Sequence, residues 1–128
     1  MKNAILIQTA AISGALAVII GAFGAHGLKP HLTEYQINIF EKGVQYHFIH
    51  TLAILLAGIL WAQQGFDNKY LLWAGWFFLG GIVCFSGSLY LLACKDMLSV
   101  PISFVGPITP IGGVLFIVGW VMLFLGSK

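Results

Sequence analysis

The chain has 128 residues, 59% of them hydrophobic and only 8% charged. A soluble domain carries about 25% charged residues, so a globule solvated mainly by water is excluded. Six lysines, no arginine and a formal net charge of +2 leave no basic run, which excludes the electrostatic footprint of a nucleic-acid binder.

The first element is the stretch 4–25, 22 residues without a charge. About 20 apolar residues cross a bilayer core, and this run exceeds the roughly 7–15-residue core of a signal peptide. It is therefore expected to be span one. Ala10, Gly14, Ala17, Gly21 and Gly24 fall on one helical stripe. Small residues on a stripe let helix backbones approach in lipid, where apolar burial gives no drive to associate. Gly27, followed by Lys29-Pro30, reads as the helix stop. Thr33 and Gln36 have the spacing of a capping box. Residues 34–42 then read as a short interfacial helix that runs on into span two.

Span two is expected at about 44–63, followed by a polar turn that ends at Asn68. Span three is expected at about 70–94 and span four at about 107–126, with Pro107 and Pro110 in the first turn of span four, where a missing N–H costs little. All Asp, Glu and Lys residues lie outside these four segments, as expected when a charge at a span centre costs about 2.5–3.5 kcal/mol. The glycine pairs Gly14/Gly21, Gly80/Gly87 and Gly112/Gly119, each seven apart, are expected to pack the bundle. Cys84 and Cys94 sit about 15 Å apart along one helix at 1.5 Å per residue, so no disulfide is expected within it.

Even span number puts both termini on one side. Counting passes then gathers His26, His31, Tyr46, His47, His50, Ser86, Ser88, Tyr90 and Thr109 towards the other. Lysines outside the spans split evenly and do not decide orientation. Lys2, beside the α-amino group, leans the terminal side towards the cytoplasm.

The stretch 43–51, GVQYHFIHT, concentrates polar chemistry where span two begins. His47 and His50 are three apart and share a helix face with Thr51. An ionisable residue inside a span is a functional hypothesis by default. Three readings stay open. The imidazoles tie the bundle through Ser86, Ser88, Tyr90 or a carbonyl. Alternatively, His26, His47 and His50 hold a metal, which imidazole suits. In the third reading they line a proton or solute path. Nucleophilic chemistry at Ser86 or Ser88 would need a base and an orienting group, and no carboxylate lies within a span.

The stretches GAFGAHGL (21–28), GVQYHFIHTLA (43–53), FSGSLYL (85–91) and PITPIGG (107–113), in that order, resemble the YgdD/YwdK-like small membrane proteins, domain of unknown function 423. The resemblance spans essentially the whole chain. It implies a four-span integral membrane protein of the bacterial inner (plasma) membrane with no established activity, and it carries over no catalytic residues. The expectation is therefore a single all-α domain over residues 1–128, a four-helix transmembrane bundle with a short interfacial helix between spans one and two. It is read as non-enzymatic, structural or accessory, with no cofactor. Its partners are the lipid bilayer and either a second copy or another membrane protein. A small transporter or channel at the His26/His47/His50 side is the first alternative, and a metal- or cofactor-binding membrane protein the second.

Overall fold

A computed structural model describes residues 4–99 and 101–128; Lys2, on which the orientation expectation leans, lies outside them. Four apolar helical segments are long enough to cross a membrane, Ile5–His31, Glu34–Gln63, Lys69–Ala93 and Ser103–Gly126. Their α-helices are α1 (Ile5–Phe23), α2 (Glu34–Gln63), α3 (Lys69–Gly81), α4 (Gly87–Ala93) and α5 (Ile108–Gly126). Every described Asp, Glu and Lys is exposed, and so is a large share of the Leu, Ile, Val and Phe side chains. That inversion of the soluble pattern fits a lipid-facing surface.

Span one does not stop at Gly27. It continues through a π-helical turn (Gly24–Leu28) and a 3-10 turn (Lys29–His31), and the chain leaves the helix only at Leu32, which is extended. The wider π turn swings Leu28 inward to pack with Phe40 and Ala93, so burial outweighs glycine's preference for ending a helix. The capping box forms as spaced: Thr33 Oγ1 accepts from Gln36 N at 3.2 Å, and Thr33 N donates to Gln36 Oε1 at 3.0 Å. From there α2 runs unbroken for 30 residues. At 1.5 Å per residue that is about 45 Å, against a hydrocarbon core of about 30 Å. The surface segment 34–42 is thus the charged overhang of α2, continuous with span two and not a separate element.

The turn after α2 closes as a Schellman motif: Phe66 N donates to Trp61 O at 2.9 Å and Gly65 N to Ala62 O at 3.1 Å. Gly65 takes the left-handed conformation (φ 72°) that this motif requires. Asn68 caps α3, and its Nδ2 donates to Gly126 O at 2.8 Å, tying the turn to the end of α5. Span three carries its own π turn, Ile82–Ser86, between α3 and α4.

The helices pack α1 on α2, α2 on α3 and α4, and α3 on α5. The α3–α5 seam is built from two reciprocal Phe-x-x-Gly pairs. Phe78 sits where a β-carbon on Gly119 would be, and Phe116 where one on Gly81 would be. The register continues with Gly112 against the backbone of Phe85. Between α1 and α2, Gly58 sits against Leu6 and the backbone of Ile7, and further along Gly21 faces Val44 and Gly14 faces Thr51. Three expected packing glycines are corrected here; a β-carbon on Gly14 would make only ordinary contact with Thr51. A β-carbon on Gly87 would meet nothing within 4 Å, and one on Gly80 would make only ordinary contact with Leu115. Both fall beside the seam because the inward positions of span three are Phe78 and Gly81, one residue out of phase with Gly80.

Candidate functional site

Gly43 begins the polar stretch and sets its geometry. Its missing side chain lets the Tyr90 ring lie against α2, one turn before His47. Tyr90 Oη then lies 2.8 Å from His47 Nδ1. On the other side of the imidazole, Nε2 lies 3.1 Å from Ser13 Oγ of α1. Ser13 Oγ in turn lies 2.6 Å from Thr51 Oγ1. The result is a chain Thr51–Ser13–His47–Tyr90 that joins α1, α2 and α4 with no water required. Both partners of His47 are hydroxyls, each able to donate or accept, so either neutral tautomer fits and the polarity of the chain can reverse.

His50 sits differently. Its Nδ1 is 2.8 Å from the Tyr46 carbonyl oxygen, which can only accept. Its Nε2 accepts from Trp120 Nε1 of α5 at 3.1 Å. Nδ1 must carry the proton and Nε2 must not, which fixes one neutral tautomer. The ring also stacks on Phe116, centroids 3.6 Å apart and planes 10° off parallel. Tyr46 completes this layer, 4.7 Å from Phe85.

A third tie joins spans three and four. Ser88 Oγ donates to Phe85 O at 2.8 Å and lies 2.5 Å from Thr109 Oγ1. Ser86 is fully buried in the π turn, and its Oγ has no hydrogen-bond partner among the described residues. His26 is exposed and stands outside all of these contacts. His26, His47 and His50 therefore do not assemble, and among the described residues no three His, Cys, Asp or Glu side chains are placed to hold a metal ion. Cys84 and Cys94 are both free thiols.

Three contacts were missed by reading the sequence: those of Ser13, of Trp120, and of Gln36 with Asp96. Gln36 is buried and its Nε2 donates to Asp96 Oδ2 at 2.7 Å, fastening the loop after span three to the start of α2. Ser13 was legible in principle. Spans one and two form an antiparallel hairpin about Leu32, and Ser13 and Thr51 lie equally far from it in sequence. Trp120 carried no such signal, because its partner His50 lies on a helix not adjacent in sequence.

Residues 20–113 match the family model described as "Protein of unknown function (DUF423)". A UPF0382 membrane protein of Staphylococcus saprophyticus is 44% identical over 123 residues, covering 96% of this chain and 96% of the relative. The UPF0382 membrane protein YwdK of Bacillus subtilis is 40% identical over 123 residues, covering 96% and 95%. A UPF0382 membrane protein of Staphylococcus aureus is 41% identical over 123 residues, covering 96% and 94%. No solved structure matches the chain. With a family model across most of its length and relatives aligned nearly end to end, the chain belongs to the DUF423 family of multi-pass membrane proteins of unknown function.

Proposed function

We propose that this protein is a non-enzymatic structural or accessory helix bundle of the plasma membrane, with both termini on one side. The observation that carries this reading is the commitment of His50. Both ring nitrogens are spent on partners of fixed polarity in two helices, which leaves neither for a metal or a proton carrier. Two further polar ties link the bundle, Thr51–Ser13–His47–Tyr90 across α1, α2 and α4 and Ser88–Thr109 between spans three and four.

The Ser13–His47–Tyr90 arrangement has the outline of a nucleophile, a base and an orienting group. Two things argue against acyl chemistry there. Tyr90 stands where a carboxylate would stabilise an imidazolium. Ser13 also lies in the middle of α1, where neighbouring backbone N–H groups are spent in the helix and cannot receive an oxyanion.

In this reading the bundle's partners are lipid and either a second copy or another membrane protein. Four spans support the shared side of the termini, and Lys2→Cys and Ser127→Cys should react with an impermeant thiol reagent from the same face. Reaction from opposite faces would sink the topology. A second reading, a small proton or solute path, is favoured by the continuous chain Thr51–Ser13–His47–Tyr90. Stability, metal content and pH-driven flux in proteoliposomes, measured on His26→Ala, His47→Ala, His50→Ala and His50→Gln, separate the readings. A structural role lowers stability and leaves flux at the lipid background. A path lowers flux at unchanged stability. One metal per chain that leaves with any one histidine would establish the metal reading instead.

A further inference from the structure

A cavity of about 260 Å³ lies between the end of span one and the overhang of α2. Gly21, Gly24 and Ala25 line it from span one, and Phe40 and Val44 from α2. Its rim carries one charge of each sign, Lys29 from the 3-10 turn and Glu41 from α2, with the Gln45 amide one turn deeper on the Glu41 face. No ion pair joins Lys29 to Glu41 among the described residues, although both line the same space. The charged segment 34–42 ends here and the uncharged part of α2 begins, so the cavity straddles the boundary between head groups and acyl chains.

We infer that this cavity is a head-group site for a zwitterionic phospholipid bearing a primary ammonium. The Lys29 ammonium meets the phosphate, and the Glu41 carboxylate meets the ammonium, each as a charge-assisted hydrogen bond. The Gln45 carbonyl oxygen accepts a second ammonium proton. A quaternary ammonium offers no N–H to Glu41 or Gln45, so choline lipids are disfavoured. An anionic glycerol lipid brings no cation to set against Glu41. The volume is below the roughly 300–1,000 Å³ of a drug-sized ligand site, so it admits a head group while the chains stay in the bilayer. The inference is independent of the structural role of the histidines.

The test is lipid capture. The full chain is reconstituted in nanodiscs with equimolar phosphatidylethanolamine, phosphatidylcholine and phosphatidylglycerol, then transferred to detergent, and the retained lipid is identified by native mass spectrometry. The unmutated protein should retain phosphatidylethanolamine several-fold above its share. Glu41→Gln and Lys29→Gln should each bring retention down to that share. Ala25→Leu, which fills the space and keeps both charges, should do the same. Lys42→Gln, beside the cavity but not lining it, should leave retention unchanged. Excess soluble glycerophosphoethanolamine should not displace the lipid. Retention in proportion to the mixture, preference for phosphatidylglycerol, undiminished retention in Glu41→Gln, or displacement by the soluble head group would each overturn the inference.

Discussion

Two histidines of α2, three apart and expected to share one face, turn to different neighbouring helices and are used in opposite ways. Towards α5, His50 is held between a carbonyl that only accepts and an indole that only donates. Towards α1, His47 is held between two hydroxyls that can each do either. The chemistry of a histidine in a span is therefore set by the polarity of its neighbours, and depth or spacing along its own helix does not reveal it. The seams these histidines serve differ as well. The one involving α3 and α5 sets Phe78 and Phe116 against glycines, whereas the α1 seam sets Leu6 and Ile7 against Gly58 and adds shared hydroxyls.

The largest effect should come from the seam of spans three and four. Gly112 abuts the backbone of Phe85, which cannot give way as a side chain can. Gly112→Ala should cost about 1–3 kcal/mol from overpacking, read as a loss of thermal stability in detergent. Gly87→Ala, seven residues from another expected packing glycine, should be neutral or slightly stabilising, because nothing lies within 4 Å of the added carbon. Equal losses in the two variants would mean the seam is not where the structure puts it.

Next in size is His50. His50→Ala removes the stack on Phe116 and orphans both the indole N–H and the Tyr46 carbonyl lone pair. The loss should lie towards the upper end of intramembrane hydrogen bonds, about 1.7 kcal/mol. His50→Gln supplies an N–H and a carbonyl to the same partners and should lose less. If Gln and Ala lose equally, hydrogen bonding is not what His50 contributes.

The smallest effect belongs to the α1 face. Ser13→Ala and His47→Ala each remove two hydrogen bonds and should each cost about 1.2 kcal/mol at the average of about 0.6 kcal/mol per bond, and the double variant should cost less than the sum, because both remove the same contact. Full additivity would place Ser13 and His47 out of reach of one another.

Much of this was legible in the sequence because lipid is an exacting solvent. Absence of charge marked the four spans, and the Thr33/Gln36 spacing marked the start of α2. From the stretch 43–51, His47 and His50 reach Ser13, Tyr90 and Trp120 on three other helices. What failed depended on a neighbouring helix. The glycine phase of span three was misjudged because Gly80 and Gly81 are adjacent, and only Phe116 across the seam distinguishes them. His26 was grouped with His47 and His50 by counting passes, which gives depth but not the direction a side chain faces. Gly27 looked like a stop, and burial of Leu28 against Phe40 and Ala93 carried the helix past it.

The fixed tautomer of His50 is the point on which the structural reading turns, and nitrogen NMR of the protein labelled with ¹⁵N-histidine in bilayers reads it directly. With His47→Ala and Trp120→Phe used for assignment, His50 should show a protonated Nδ1 and an unprotonated Nε2 as its sole form near neutral pH. Trp120→Phe alone should shift the Nε2 resonance and leave Nδ1 in place. A protonated Nε2, or an imidazolium with both nitrogens protonated, would contradict the structure and free His50 for the proton-path reading.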